Sequence, residues 1–143
     1  MSGIDRRQFV TLAGAALAVT VLPGCASLVA TPVTPVGGSI RLALRNFPQL
    51  ARPGGYVKLA PSGAATPLYV LAVDQGYAAL SPVCTHQGCI VNIQGAELVC
   101  PCHASAFDRE GRVLRGPAER PLRRLPATLT AEGDLVITWK EGA

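Results

Sequence analysis

Cys84-Thr85-His86-Gln87-Gly88-Cys89 and, ten residues later, Cys100-Pro101-Cys102-His103-Ala104-Ser105 hold both histidines and four of the five cysteines of this 143-residue chain. Six of the seven residues of these two types thus fall within one stretch of twenty, a concentration that builds a metal site. Cys-x-His followed by Cys-x-x-His offers two thiolates and two imidazoles. That donor set suits a mononuclear tetrahedral zinc or a mixed-ligand iron-sulfur cluster. A structural zinc site has no use for Cys89 and Cys102, and a purely disulfide-stapled protein would leave His86 and His103 beside cysteines by coincidence.

The full pattern resembles the Rieske iron-sulfur proteins, specifically the disulfide-bearing kind of the cytochrome bc complexes. The resemblance implies one 2Fe-2S cluster per chain, with Cys84 and Cys100 on one iron, His86 and His103 on the other, and Cys89 bonded to Cys102. Two neutral imidazoles in place of two thiolates lower the negative charge on the cluster and raise its potential to roughly −150 to +300 mV. Closing a loop of about thirteen residues with the disulfide would stabilise the ligand loops by up to about 3 kcal/mol.

Neighbouring residues tune such a site. Ser105 resembles the family serine whose hydroxyl donates to a bridging sulfide and raises the potential. Phe107 stands where high-potential relatives carry a tyrosine, so the packing is kept and a donor is lost. A lower potential than theirs follows. Gly116-Pro117-Ala118 resembles the proline loop that covers the third side of the cluster. Three departures bear on the partner. Gln87 replaces the leucine with which quinol-oxidising relatives enter an apolar crater. Ala104 replaces a glycine, so its backbone is expected to avoid positive φ. The thirteen residues between His86 and Cys100 are fewer than usual, which predicts a trimmed hairpin through Asn92 to Ala96.

Asp5-Arg6-Arg7-Gln8-Phe9-Val10 resembles a twin-arginine export signal and runs into an apolar stretch. That route carries folded proteins, which suits a cluster inserted before export and a disulfide that persists outside the cytoplasm. Leu22-Pro23-Gly24-Cys25 resembles a bacterial lipobox, with Cys25 as the lipidated first mature residue. The competing reading is an uncleaved anchor, since Phe9 to Ala30 carries no charge and exceeds the roughly 20 residues needed to cross a bilayer. Both predict a membrane-tethered protein with its cluster domain on the periplasmic side.

The expected organisation is therefore a signal or anchor over 1–24, a tether and Pro/Gly linker over 25–38, and one domain over 39–143. Thr31-Pro32-Val33-Thr34-Pro35-Val36-Gly37-Gly38 reads as a linker, either a spacer or a hinge for a swinging domain. From Ser39 onward, short apolar bursts predict strands at Ile40 to Leu44, Tyr56 to Leu59, Leu68 to Val73, Tyr77 to Leu80, Glu97 to Cys100, Val113 to Leu114, Leu122 to Leu125, Thr128 to Leu129 and Leu135 to Trp139. Turn signals such as Pro53-Gly54-Gly55 and Asp74-Gln75-Gly76 separate them. The fold class is all-β. The resemblance makes it a Rieske fold, an antiparallel base with a cluster-binding subdomain inserted over about 82–117. Trp139 and the tyrosines are expected to pack the base.

Charge excludes little and suggests something. From Cys25 onward eleven basic and eight acidic side chains remain, a mild excess without the aromatic interleaving that nucleic-acid binding would want. Arg109, Arg112, Arg115, Arg120, Arg123 and Arg124 follow the second ligand pair. They form either a solvated face or a guide for an acidic partner or anionic headgroups. The function implied is one-electron transfer, as the iron-sulfur subunit of a quinol-oxidising complex with cytochrome b and c subunits. The alternative is the small subunit of another exported redox enzyme, arsenite-oxidase-like, or a freestanding lipoprotein carrier. In neither case does the chain carry a complete active site of its own.

Overall fold

A computed structural model describes residues 29–140. The export signal, Cys25 and all of the apolar stretch but Val29 and Ala30 lie outside them. Among the described residues no helix is long and apolar enough to cross a membrane. The strands are β1 (Thr31–Val33), β2 (Ser39–Ala43), β3 (Tyr56–Pro61), β4 (Leu68–Val73), β5 (Gly76–Leu80), β6 (Asn92–Gln94), β7 (Glu97–Val99), β8 (Ala106–Phe107), β9 (Val113–Arg115), β10 (Arg124–Leu125), β11 (Ala127–Leu129) and β12 (Asp134–Thr138). Two short 3-10 turns, Leu44–Asn46 and Pro48–Ala51, bridge β2 and β3.

Three sheets result, with strand orders β1-β3-β4-β5-β10, β11-β12-β2 and β6-β7-β8-β9. The five-stranded sheet is a partition between two cores. Along β4, Leu68 and Val70 enter one core with Ile40, Leu59, Leu135, Ile137 and Trp139 from the base. Tyr69 and Leu71 enter the other with Cys84, Leu98, Cys100, Phe107 and Ala118. Side chains alternate across a strand, so a strand buried on both faces needs an almost unbroken apolar run. Leu-Tyr-Val-Leu-Ala-Val is such a run. β5 alternates likewise, with Ala79 facing the base core and Ala78 and Leu80 the other. Its chain then continues through Ser81 to Val83 into the first ligand loop.

Every strand expected from the sequence is present within a residue or two, except that Leu122 and Arg123 precede β10 as extended chain and Leu44 turns into a 3-10 segment. β6 and β8, too short for a periodicity to show, arise because the ligand loops must return to their starting edge. The linker expectation needs a larger correction. Thr31–Val33 is a strand, paired in parallel with Leu59, Ala60 and Pro61. Ser62 N–H donates to Val33 O at 2.9 Å, and Trp139 N–H to Gly38 O at 2.8 Å. A segment with its backbone bonded into the fold does not swing as a hinge. Proline is tolerated here because β1 is the edge strand.

Gly55 marks a close approach: a Cβ there would stand 1.8 Å from the Gln49 carbonyl oxygen. The loop over 52–55 therefore lies flat on the second 3-10 turn.

Candidate metal centre

The two ligand loops share one backbone design. In the first, Cys84 N–H donates to Cys89 O at 2.8 Å and Gly88 N–H returns to Cys84 O at 2.9 Å. In the second, Cys100 N–H donates to Ser105 O at 2.8 Å and Ala104 N–H returns to Cys100 O at 3.0 Å. Each cysteine thus opens a closed turn, with its partner histidine two or three residues on. Both turns need a left-handed residue at the fifth position, Gly88 at φ +79° and Ala104 at φ +57°. The expectation that Ala104 avoids positive φ was wrong. The turn's hydrogen bonds, and Arg115 Nε donating to Ala104 O at 3.3 Å, hold alanine where it costs about 1–2 kcal/mol.

Cys84 and Cys100 are buried at 2 % exposure each, and both carry free thiols. His86 and His103 are exposed, with ring centroids 4.8 Å apart and planes perpendicular. Cys89 and Cys102 form the disulfide that joins the loops. The sulfurs of Cys89, Cys100 and Cys102 lie within 4.8 Å of one another. That trio is no ligand set, because two of its sulfurs are spent on each other. Two buried thiols and two paired imidazoles remain, a mixed sulfur and nitrogen set that fits a cluster with one sulfur-ligated and one nitrogen-ligated iron.

Around this centre Ser105 is fully buried, and its Oγ accepts the Ala118 N–H at 2.9 Å. Its own hydroxyl proton stays free to donate. Phe107 is fully buried in β8, beside Cys84 and Cys100 in the same core. Gln87 and Pro117 are exposed. β6 and β7 pair from Gln94 and Glu97 backward, so only Gly95 and Ala96 form the turn. This is the trimmed hairpin expected from the short spacing.

Three supports had no signature in the sequence. Thr85 Oγ1 donates to Arg120 O at 2.6 Å, fastening the first loop to the chain after Pro117. Tyr69 Oη donates to Val91 O at 3.0 Å, tying β4 to the exit of that loop. Burial, and the nearby Tyr56 phenol, push the Tyr69 hydroxyl above its usual range, so it stays a donor.

Arg109 is the third. Its Nη2 donates to Gly54 O and Gly55 O at 2.8 Å, Nη1 to Gly95 O at 3.1 Å and Nε to Ala72 O at 3.4 Å. One guanidinium thereby binds the base loop, β4 and the hairpin turn. Arg112 pairs with Asp108 at 2.8 Å and Glu110 at 2.7 Å, and Arg115 lies 3.9 Å from Glu97. The six arginines are therefore not one face.

The fold and this centre define a small disulfide-stapled β domain whose two loops carry two buried thiols and two exposed imidazoles. The match to known proteins is direct: the Rieske 2Fe-2S domain family covers residues 49–126, more than half of the chain. The chain belongs to that family, and its cofactor is a Rieske-type 2Fe-2S cluster. It is 40% identical over 89 residues to the cytochrome b6-f complex iron-sulfur subunit of Synechococcus elongatus, covering 58% of this chain and 49% of that one. It is 45% identical over 82 residues to a putative respiratory nitrate reductase Rieske subunit of Haloferax mediterranei, covering 55% and 36% respectively. Among solved structures, the plasma membrane Rieske protein PetC3 of Synechocystis superposes with a TM-score of 0.50 at 32% identity, over 58% of this chain and 85% of that one. The chain spans about half or less of the length of these two curated relatives.

Proposed function

We propose that this protein is the electron-transfer subunit of an exported, membrane-tethered quinol-oxidising complex of the cytochrome bc type. In it Cys84 and Cys100 hold one iron of the 2Fe-2S cluster and His86 and His103 the other. The observation that carries the reading is the contrast between two thiols at 2 % exposure and two exposed imidazoles set edge to face with centroids 4.8 Å apart. The cluster, when bound, supplies a one-electron acceptor whose potential is raised by its neutral ligands.

The chain's own residues do the rest. Cys84 and Cys100 keep the sulfur-ligated side in the core, away from water. His86 and His103 bring the other side to the surface, where a partner can approach. There His86 or His103 would accept a hydrogen bond from a quinol hydroxyl and then its proton, with the electron passing to the cluster they hold. Ser105, with its oxygen already engaged by Ala118, directs its hydroxyl proton to the site. The similarity to cytochrome b6-f iron-sulfur subunits supports this assignment.

Reduced full-length protein should give the EPR signal of a mixed-ligand cluster, show a pH-dependent midpoint and co-purify with b-type haem. Protein that binds zinc and shows neither cluster absorbance nor that EPR signal would sink the reading. Membrane fractionation and the intact mass of the extracted protein test the location. Loss of the residues before Cys25 with added acyl mass marks a lipoprotein, and the full mass an uncleaved anchor.

A second reading, the small subunit of another exported redox enzyme or a freestanding carrier, is favoured by the exposed polar tip Gln87, the two-residue hairpin turn and the nitrate reductase relative. Purification without b-type haem, together with a molybdenum-cofactor subunit, would select it.

A further inference from the structure

The arginines after the second ligand loop divide into two groups. Arg109 is engaged by four carbonyls, and Arg112 and Arg115 lie against carboxylates. Arg120, Arg123 and Arg124 are exposed, and no ion pair among the described residues includes them. Backbone bonds attach all three to residues 80–85, the strand end and loop that lead into the metal centre. Arg120 O takes the Thr85 hydroxyl at 2.6 Å, between Cys84 and His86. Arg123 O takes the Ser81 N–H at 2.9 Å, and Arg124 pairs with Leu80 at the edge of the five-stranded sheet. Arg124 Nη2 makes only a 3.5 Å contact to Tyr77 O. The nearest acidic residue in sequence, Glu119, is also exposed.

We infer that Arg120, Arg123 and Arg124 form a cationic docking stripe that seats an acidic protein redox partner beside the exposed histidine edge of the cluster. Guanidinium groups with no carboxylate partner have no ion pair to break on binding, and they attract anionic surfaces over about a Debye length, which is roughly 10 Å at 0.1 M salt. The placement favours a protein over a lipid surface. The stripe begins where the chain after Pro117 is bonded to the loop that carries His86, so whatever it binds is held near the electron-exchanging edge. The polar Gln87 at the tip suits a wet, charge-guided encounter better than insertion into an apolar crater. The inference rests on the electron-transfer reading above.

The test uses cluster-loaded, full-length protein and two oxidants of opposite charge, hexacyanoferrate(III) and tris(phenanthroline)cobalt(III), by stopped flow. In R120Q/R123Q/R124Q, oxidation by the anion should slow about tenfold at low ionic strength, oxidation by the cation should speed up, and both differences should shrink with added salt. The charge-conserving R120K/R123K/R124K should retain the native rates. As a readout independent of electron transfer, redox-inert hexacyanochromate(III) should broaden the NMR signals of Arg120, Arg123 and Arg124 side chains and neighbouring amides in the native protein and not in the Gln variant.

A normal cluster spectrum with equal rates for native and Gln variant, or broadening elsewhere, overturns the stripe while leaving the electron-transfer reading intact. An absent cluster overturns that reading itself. Phosphatidylglycerol vesicles provide the remaining arm. Cosedimentation that the Gln variant loses, without hexacyanochromate residence at the stripe, reassigns it to lipid and overturns the proposal.

Discussion

Ala104 occupies in the second ligand loop the place that Gly88 occupies in the first: each N–H returns to the carbonyl of the cysteine four residues before it, and each backbone is left-handed, at φ +57° and +79°. The two loops are copies of one turn, and only one has the residue that turn prefers.

Replacing Ala104 by glycine should therefore stabilise the domain. The left-handed strain of about 1–2 kcal/mol is relieved, against about 0.4–1 kcal/mol of added freedom in the unfolded chain, leaving a gain of about 0.5–1 kcal/mol. By the same balance Gly88→Ala should destabilise by about 0.5–1 kcal/mol. Chemical denaturation of the cluster-loaded proteins measures both, and equal effects of the same sign would contradict the shared geometry.

Arg109→Ala removes the group that binds Gly54, Gly55, Ala72 and Gly95. Hydrogen bonds from a charged donor contribute about 1.5–3 kcal/mol each when buried, but these are partly solvated and share one side chain. The expected loss is about 2–3 kcal/mol in denaturant unfolding. Arg109→Lys should recover only part of it, since one ammonium cannot span the same carbonyls. Full recovery by lysine would show that charge alone matters.

Asp108 should make stability depend on acid. Burial pushes its carboxyl up, but the Arg112 side chain, the Arg112 and Glu110 N–H groups and the Arg112 charge together bring it below the usual range. A folded value below the unfolded one stabilises above the unfolded value, near 3.9, and that contribution is lost as pH falls through the folded value. Asp108→Asn should thus be less stable than the native protein at pH 7, with the gap closing below about pH 4. A constant gap across that range would remove the assigned cause.

Phe107→Tyr should raise the midpoint potential. The ring is fully buried in the core that contains Cys84 and Cys100, and a new phenol donor to a ligand sulfur favours the reduced state. A bond of about 1 kcal/mol corresponds to roughly 40 mV for one electron. An unchanged midpoint in protein film voltammetry, with stability reduced, would mean that the hydroxyl is buried without reaching a sulfur.

Replacing both Cys89 and Cys102 by serine opens a loop of sequence separation 13. The expected cost is about 3 kcal/mol, read as faster cluster loss on warming, followed by visible absorbance. Retained cluster lifetime would show that the loop hydrogen bonds alone suffice.

Most of the fold was legible because β4, β5 and β12 are long enough for apolar runs or alternation to show, and Gly-rich turns bracket them. β1 reads as linker because the Thr/Pro/Gly-rich segment over 31–38 looks like spacer, while its pairing with β3 depends on residues nearly thirty positions away. Chemistry and spacing mark a metal site at these loops, since thiolates and imidazoles have few other uses at that density, while the ligand set and the Cys89–Cys102 pairing come from the Rieske resemblance, and the structure shows the disulfide. Ala104 was misjudged because an intrinsic preference was weighed without the turn that overrides it.

The sequence by itself determined which side chains could meet a metal and that the surroundings were β structure, and its resemblance to the Rieske proteins implied which two cysteines would join. Only the tertiary structure decided that the thiols are buried while the imidazoles are exposed, that Arg109 clamps three segments, and that Arg120, Arg123 and Arg124 are left unpaired beside the first ligand loop. The physical reason is range. Ligand identity is local chemistry written within a few residues, whereas burial and the partnering of charge depend on hydrogen bonds and packing between segments that sequence order keeps far apart.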